Sequence, residues 1–380
     1  MKVAILKERH ADETRVAATP DTVKKMIGLG LSPAVEAGAG VASSFLDEAY
    51  EDAGAKIAKT ARAALKDADV VLKVRGPSAN ELKAFPRGVL LAAMLDAYDE
   101  GGTLERYAQA GVDAFAMELM PRITRAQSMD VLSSQSNLAG YRAVIDAAGA
   151  FTRAMPMMMT AAGTIAPARV LVMGAGVAGL QAIATAKRLG AIVSATDVRP
   201  AAKEQVESLG ANFVMIESEE TKEAETAGGY AREMSEDYQR QQAELIAKTI
   251  TKQDMVICTA LIPGRPAPLL VSEAMVRSMR PGSVVVDLAV ERGGNCALAK
   301  AGETIEVAGV RILGHLNVPG RVAVDASALY SKNLLNFLTP LINPDSGALA
   351  IDWDDEIIQG TAITRDGHIV HPAFTQGAEQ

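Results

Sequence analysis

The chain has 380 residues, 49% of them hydrophobic but only 4% aromatic, with a net charge of −8. Its length fits about two or three domains, and its acidic balance argues against nucleic acid as the main partner, because phosphate binding needs a basic surface. Cys258 and Cys296 are the only cysteines and lack metal-ligand spacing, a reduced, cytosolic profile with no metal expected. No apolar stretch is long enough to span a bilayer without a charge or a breaker.

The N-terminal run Met1 to Leu6 is strand-like and is interrupted by Lys7-Glu8-Arg9, a pattern unlike a signal peptide. From there short apolar runs alternate with helical stretches, which points to parallel α/β sheets. A first set comprises Val3–Leu6, Ala34–Glu36, Val70–Val74, Val89–Leu95 and Ala114–Leu119. A second comprises Val170–Met173, Ile192–Ala195, Phe213–Ile216, Met255–Thr259, Val284–Leu288 and Val310–Leu313. The expected fold class is α/β, with two doubly wound parallel-sheet (Rossmann-like) domains and a ligand cleft between them. A helical pattern over 137–154 leads into the second set, and another over 324–341 ends near Pro340. The polar tail has strand-like pieces at Ile351–Trp353 and Ile369–Val370, around the turn Arg365–His368. Returning this tail to the first domain makes that domain discontinuous, 1–136 plus 325–380, around a nucleotide domain at 137–324.

At the end of the first set, Glu118 to Asn137 is dense in groups that can hydrogen-bond a flat, amide-bearing ring: Arg122, Gln127, Asp130, Ser133 and Ser134. Arginine and glutamine can bond a carboxamide or a phosphate, while aspartate and serine can accept from an amide N–H₂. A structural reading stands beside this one: Gln127 to Ser136 caps the next helix, with Asp130 as its N-cap.

The first run of the second set leads into Gly174-Ala175-Gly176-Val177-Ala178-Gly179, then a helical stretch, then a second run ending at Asp197. Glycine triplets alone occur in ordinary loops. Here a strand precedes, a helix follows and an acid lies roughly 20 residues on, the context of a dinucleotide-binding turn. Gly174 permits the tight turn, Gly176 lets backbone approach a pyrophosphate, and Gly179 lets helix and strand pack closely. The helix N-terminus offers its amides to the phosphates. Asp197 can bond an adenosine ribose and would repel a 2′-phosphate, so NAD(H) is expected over NADP(H). Arg199 is the discordant neighbour, since an arginine there can accommodate a 2′-phosphate. A charged stretch, 217–248, then interrupts the alternation around Ala227-Gly228-Gly229-Tyr230-Ala231. It reads as a mobile flap over a site or, in the plainer alternative, as a solvated helix pair.

The acid–base inventory is thin. His10, His315, His368 and His371 all lie away from the glycine turn and the Arg122–Asp130 segment. A dehydrogenase acting on an alcohol or amino acid must move a proton as well as a hydride. Lys73 is the available candidate for that, and Arg15 could bind a carboxylate. Hydride transfer between two nicotinamide rings needs only a dry site and correct alignment.

With these residues assembled, the chain resembles the NAD(H)-binding peripheral subunit of proton-translocating NAD(P) transhydrogenases, in the bacterial split form where this component is a separate polypeptide. The resemblance covers essentially the whole chain. Its motifs are Lys7-Glu8-Arg9, Met117 to Arg122, Arg125 to Asp130, Ser133 to Asn137, Gly174 to Gly179, Ala227 to Tyr230 and Asn333 to Phe337. It implies Arg122, Gln127, Asp130 and Ser133 around the nicotinamide and its phosphate. It also implies Gly174, Gly176, Val177 and Gly179 at the pyrophosphate, and Asp197, Val198 and Arg199 near the adenosine ribose. Gly229 and Tyr230 would lie at the tip of a mobile loop, and Gly264 beside the adenine.

The implied reaction is direct, Re/Si-specific hydride transfer from NADH to NADP⁺ on a partner domain, coupled to proton translocation. The implied assembly is a homodimer with NADP(H)-binding and membrane-spanning partners, cytoplasmic and held peripherally at the inner membrane. Alanine dehydrogenase is the related alternative, and Arg15 and Lys73 sit where that family keeps its pyruvate-binding pair. Leu90 to Tyr98 lacks that family's histidine, and Glu291 follows Val290 where it has aspartate. Met94-Leu95-Asp96-Ala97 also departs from the His-Leu-Gly-Ala common in transhydrogenase subunits.

Overall fold

Consecutive residues of single strands face different cores, so each sheet is covered on both sides. In β1 (Lys2–Ile5), Val3 and Ile5 join one buried cluster and Ala4 another. In β9 (Arg169–Met173), Val170 and Val172 join one cluster while Leu171 and Met173 join another. The computed structural model describes residues 1–99, 101–216, 235–262, 264–344 and 346–375. It divides into two compact units, Met1–Gln135 with Gly320–Gln380, and Ser136–Pro319.

The first unit holds β1, β2 (Ser32–Glu36), β3 (Lys56–Ala58), β4 (Val70–Arg75), β5 (Leu90–Met94) and β6 (Asp113–Ala116). They form one parallel sheet in the order β3-β2-β1-β4-β5-β6. The run Ala114–Leu119 is strand only to Ala116 and then tightens into a 3-10 turn, Met117–Leu119. The helix Ala323–Leu338 lays Tyr330, Leu334, Phe337 and Leu338 into this unit's core. Pro340, lacking an amide hydrogen, falls in the 3-10 turn Thr339–Leu341 that follows the helix. The tail is pinned to β6: Thr364 Oγ1 donates to Val112 O at 2.7 Å, and Ala114 N donates back to Thr364 Oγ1 at 3.1 Å. A two-strand hairpin, β16 (Thr364–Arg365) with β17 (His368–Ile369), follows. Ile351–Trp353 is not a strand; Trp353 instead packs on Phe115, with Arg365 over its ring at 4.1 Å.

The second unit begins inside the helix Val131–Ala150, which starts six residues before the expected 137. It carries a small exposed hairpin, β7 (Met158–Thr160) with β8 (Gly163–Ile165). Its sheet comprises β9, β10 (Ile192–Thr196), β11 (Asn212–Phe213), β12 (Met255–Cys258), β13 (Val284–Asp287), β14 (Thr304–Val307) and β15 (Val310–Leu313). The order is β11-β10-β9-β12-β13-β15-β14, with only β14 antiparallel. The helix Glu236–Ile250 occupies the end of the charged stretch, and Ile246 and Ile250 enter the core. That helix packs one face on the core while its charged residues Asp237, Arg240, Glu244 and Lys248 stay exposed.

Candidate functional site

The glycine turn follows β9 at the switch point of the second sheet, where β9 parts from β10 on one side and β12 on the other. Gly174 has φ +103°, a conformation open to glycine, and a Cβ there would meet Thr259 Oγ1 at 2.7 Å. A Cβ on Gly179 would lie 1.8 Å from the Gly174 carbonyl oxygen, so the helix Val177–Arg188 is pressed directly on the turn. Around Gly176, the N-cap, a Cβ would meet nothing within 4 Å, and Val177 is exposed. Among the described residues no side chain caps this helix start. Its first amides therefore remain available to an anion, and the turn fits a pyrophosphate.

Asp197 lies just past β10 and is 8% exposed. Its Oδ2 accepts from Ala175 N at 2.8 Å, which ties the strand tip to the glycine turn. Arg199 grips the same carboxylate: its Nε donates to Oδ1 at 2.9 Å and its Nη2 to Oδ2 at 2.8 Å. The Arg199 amide adds a bond to Oδ1 at 2.9 Å. The aspartate and the discordant arginine form one ion pair. Val198, between them, packs with Ile216 against Tyr238.

Residues that carried no role in the sequence buttress the turn. Thr259 Oγ1, after β12, donates to Gly174 O at 2.9 Å. Asn295 holds the next loop, accepting from Ala260 N at 3.1 Å and donating to Ala260 O at 2.9 Å and Pro268 O at 2.8 Å. Asp287, fully buried, accepts from the amides of Ala289, Asn295 and Cys296 at 2.8 Å each. Burial pushes its carboxyl upward while those amides pull it down. The position of Asp287 at a strand end was the only sequence signal. Gly264 is an exposed turn residue with φ +69° in the loop after β12. Gly229 and Tyr230 lie outside the described residues.

In the first unit, the Arg122–Ser133 segment is a 3-10 helix, Thr124–Met129, running into Val131–Ala150. Asp130 caps that helix, accepting from Ser133 N at 2.9 Å and from the Ser133 hydroxyl. The capping role therefore holds, and it fixes Asp130 and Ser133 as a pair. Asn333 and Asn336 on the helix Ala323–Leu338 both donate to Ser128 O, at 2.8 and 3.0 Å. Arg125 makes a bidentate pair with Asp355 at 2.6 and 2.8 Å. Ala126 and Met129 are buried, whereas Arg122 and Gln127 are exposed. The segment is a braced platform that turns Arg122 and Gln127 outward.

Lys73 and Arg15 are placed differently from an open substrate pair. Lys73 is 1% exposed, with Nζ 3.3 Å from Glu8 and 3.1 Å from Glu81. Arg15 meets Glu13 at 2.7 Å and Gln135 Oε1 at 2.8 Å, and Arg75 adds to Glu13 at 3.1 Å. Although burial opposes it, the Arg15 bonds hold the Glu13 carboxyl down at about 2. Burial pushes Glu8 upward, against the pull of Lys73. Near the departing Met94–Ala97 stretch, the Glu118 carboxylate accepts from the amides of Leu95 and Ala97. Burial raises that carboxyl as well.

Two family models, described as Alanine dehydrogenase/PNT, N-terminal domain and C-terminal domain, match residues 4–139 and 143–372. The chain is 58% identical, over 384 aligned positions and the full length of both proteins, to the first part of NAD(P) transhydrogenase subunit alpha from Rhodospirillum rubrum. It is similar to the solved transhydrogenase from Sinorhizobium meliloti, with TM-score 0.89, 56% identity and coverage of 97% of this chain and 100% of that one. A solved L-alanine dehydrogenase shares the fold at TM-score 0.82 and 25% identity, covering 99% of this chain and 98% of its own. The chain belongs to the alanine dehydrogenase/PNT family.

Proposed function

We propose that this member of the family is the NAD(H)-binding component of a proton-translocating transhydrogenase. NADH bound here passes hydride directly to NADP⁺ on a partner domain, with Re/Si specificity and coupled to proton movement across the membrane. The observation that carries the reading is the open glycine turn, whose Gly174 and Gly179 leave no room for a Cβ, in a chain that matches a transhydrogenase subunit end to end. In this reading the amides after Gly176 and the exposed Val177 take the pyrophosphate, and Asp197 takes the adenosine ribose. Arg122, Gln127, Asp130 and Ser133 orient the nicotinamide carboxamide and its phosphate. Bound NADH supplies the hydride. The chain's own contribution is alignment and exclusion of water, which suits its thin acid–base inventory.

Among the described residues no helix is long and apolar enough to cross a membrane. Membrane-spanning and NADP(H)-binding partners, peripheral attachment at the inner membrane and a homodimer of this subunit complete the proposal. The alanine dehydrogenase-like alternative shares Arg15 and Lys73, which do not discriminate between the two readings; both are paired with the chain's own carboxylates. Stopped-flow mixing of the NADH-loaded chain with an NADP⁺-loaded partner domain tests the proposal. Rapid hydride exchange is expected; no exchange at saturating nucleotide sinks it. Pyruvate- and ammonia-dependent NADH oxidation by the chain alone would establish the alternative instead.

A further inference from the structure

The ion pair at the tip of β10 has a consequence for how the nucleotide is admitted. A carboxylate offers about four acceptor positions. Four donors are already directed at Asp197: the Ala175 and Arg199 amides, and Nε and Nη2 of the Arg199 guanidinium. A ribose diol must donate to that same carboxylate. The two backbone amides are part of the turn and stay. The guanidinium is the donor pair that can leave, since the Arg199 side chain is 19% exposed against 6% for Asp197.

We propose that the Arg199 guanidinium is an internal competitor for the ribose-binding carboxylate, released from Asp197 when the adenosine ribose docks. Arg199 is thereby a positioning and specificity-determining residue that acts through Asp197. While paired, it keeps a nearly buried anion neutralised and its oxygens aimed. Once displaced, it leaves Asp197 to the 2′- and 3′-hydroxyls, and the uncovered charge then disfavours a 2′-phosphate. The apparent affinity for NADH is the intrinsic affinity multiplied by the fraction of chains in which the pair is open, so removing the competitor tightens binding.

This inference rests on the assignment of Asp197 to the ribose, and the test separates the two. NADH, ADP-ribose and NADPH are titrated calorimetrically into the wild-type chain, R199Q, D197N and the double variant. Native-like circular dichroism of each variant is the entry condition, with R199M as a second substitution should R199Q misfold. The expected result is that R199Q binds NADH and ADP-ribose roughly three- to tenfold more tightly and NADPH more weakly. In the D197N background R199Q should then have no effect. If D197N leaves NADH and ADP-ribose affinity unchanged, the ribose assignment itself fails. If D197N weakens binding but R199Q weakens it too, or changes nothing, Arg199 is a supporting ligand and the competitor proposal is overturned.

Discussion

At the switch point of the first sheet, between β1 and β4, the chain fills the space with its own charges. Lys73 lies between Glu8 and Glu81, and Glu13 between Arg15 and Arg75. At the switch point of the second sheet, between β9 and β12, it places glycine backbone, and among the described residues no side chain caps the helix start. Both sheets share the strand order in which ligands collect at that point. The fold therefore permits a phosphate-binding turn at both switch points, and the residues at the strand ends differ between the two. The Arg15 guanidinium is directed at Glu13 and Gln135, whereas a glycine-started helix offers its first amides to an anion.

Breaking the filled switch point should cost most. Glu13→Ala strands Arg15 as a buried charge, and loss of one partner of such a pair costs about 3–5 kcal/mol. Urea denaturation should show that loss, with NADH affinity of the folded fraction retained; a near-wild-type midpoint would mean the cluster is not structural. Its acid dependence follows from Glu13, whose carboxyl is lowered from 4.5 to about 2. A lowered carboxyl stabilises the fold above its unfolded value and loses that contribution as pH falls. About 3 kcal/mol should then disappear between pH 4.5 and about 2. Glu13→Gln should flatten that limb of the stability–pH curve, and an unchanged limb would assign it to other carboxyls.

Crowding the open switch point comes next. Gly179→Ala puts a Cβ 1.8 Å from the Gly174 carbonyl, and overpacking of this kind costs about 1–3 kcal/mol. NADH binding should fall in proportion, with the first unit's stability unaffected when each unit's unfolding is followed by hydrogen exchange. Equal losses in both units would erase the contrast. Asp130→Ala removes an N-cap worth about 1 kcal/mol, while Asp130→Asn keeps the cap. If Asp130 also holds the nicotinamide, Asn should slow hydride exchange without changing stability. The smallest effect belongs to Asn336→Ala, which loses an exposed bond to Ser128 O worth about 0.5 kcal/mol and should loosen the platform only slightly.

The two-sheet architecture is legible in the sequence because strand and helix periodicities are local, and so is the glycine turn, whose spacing is short. The tail's attachment to β6 follows from economy of topology. Less visible are β3, β14 and the β7–β8 hairpin, which are short, partly polar or exposed and carry little apolar signal. The run to Leu119 and the piece Ile351–Trp353 read as strands because apolar content alone does not tell a strand from a packed turn. At the candidate site, the sequence singles out Asp197 and Arg199 but sets them up as rivals, since spacing does not say that two side chains grip each other.

What the sequence determined by itself was the kind of sheet, the glycine turn and the acid beyond it, all properties of residues within a few turns of one another. Only the tertiary structure decided which charges are spent. Arg15 finds Gln135 120 positions away, and Tyr330 reaches the Lys73 carbonyl across 257. A buried charge must take its partner from whatever the fold brings within hydrogen-bonding distance, and that choice is not written in local order.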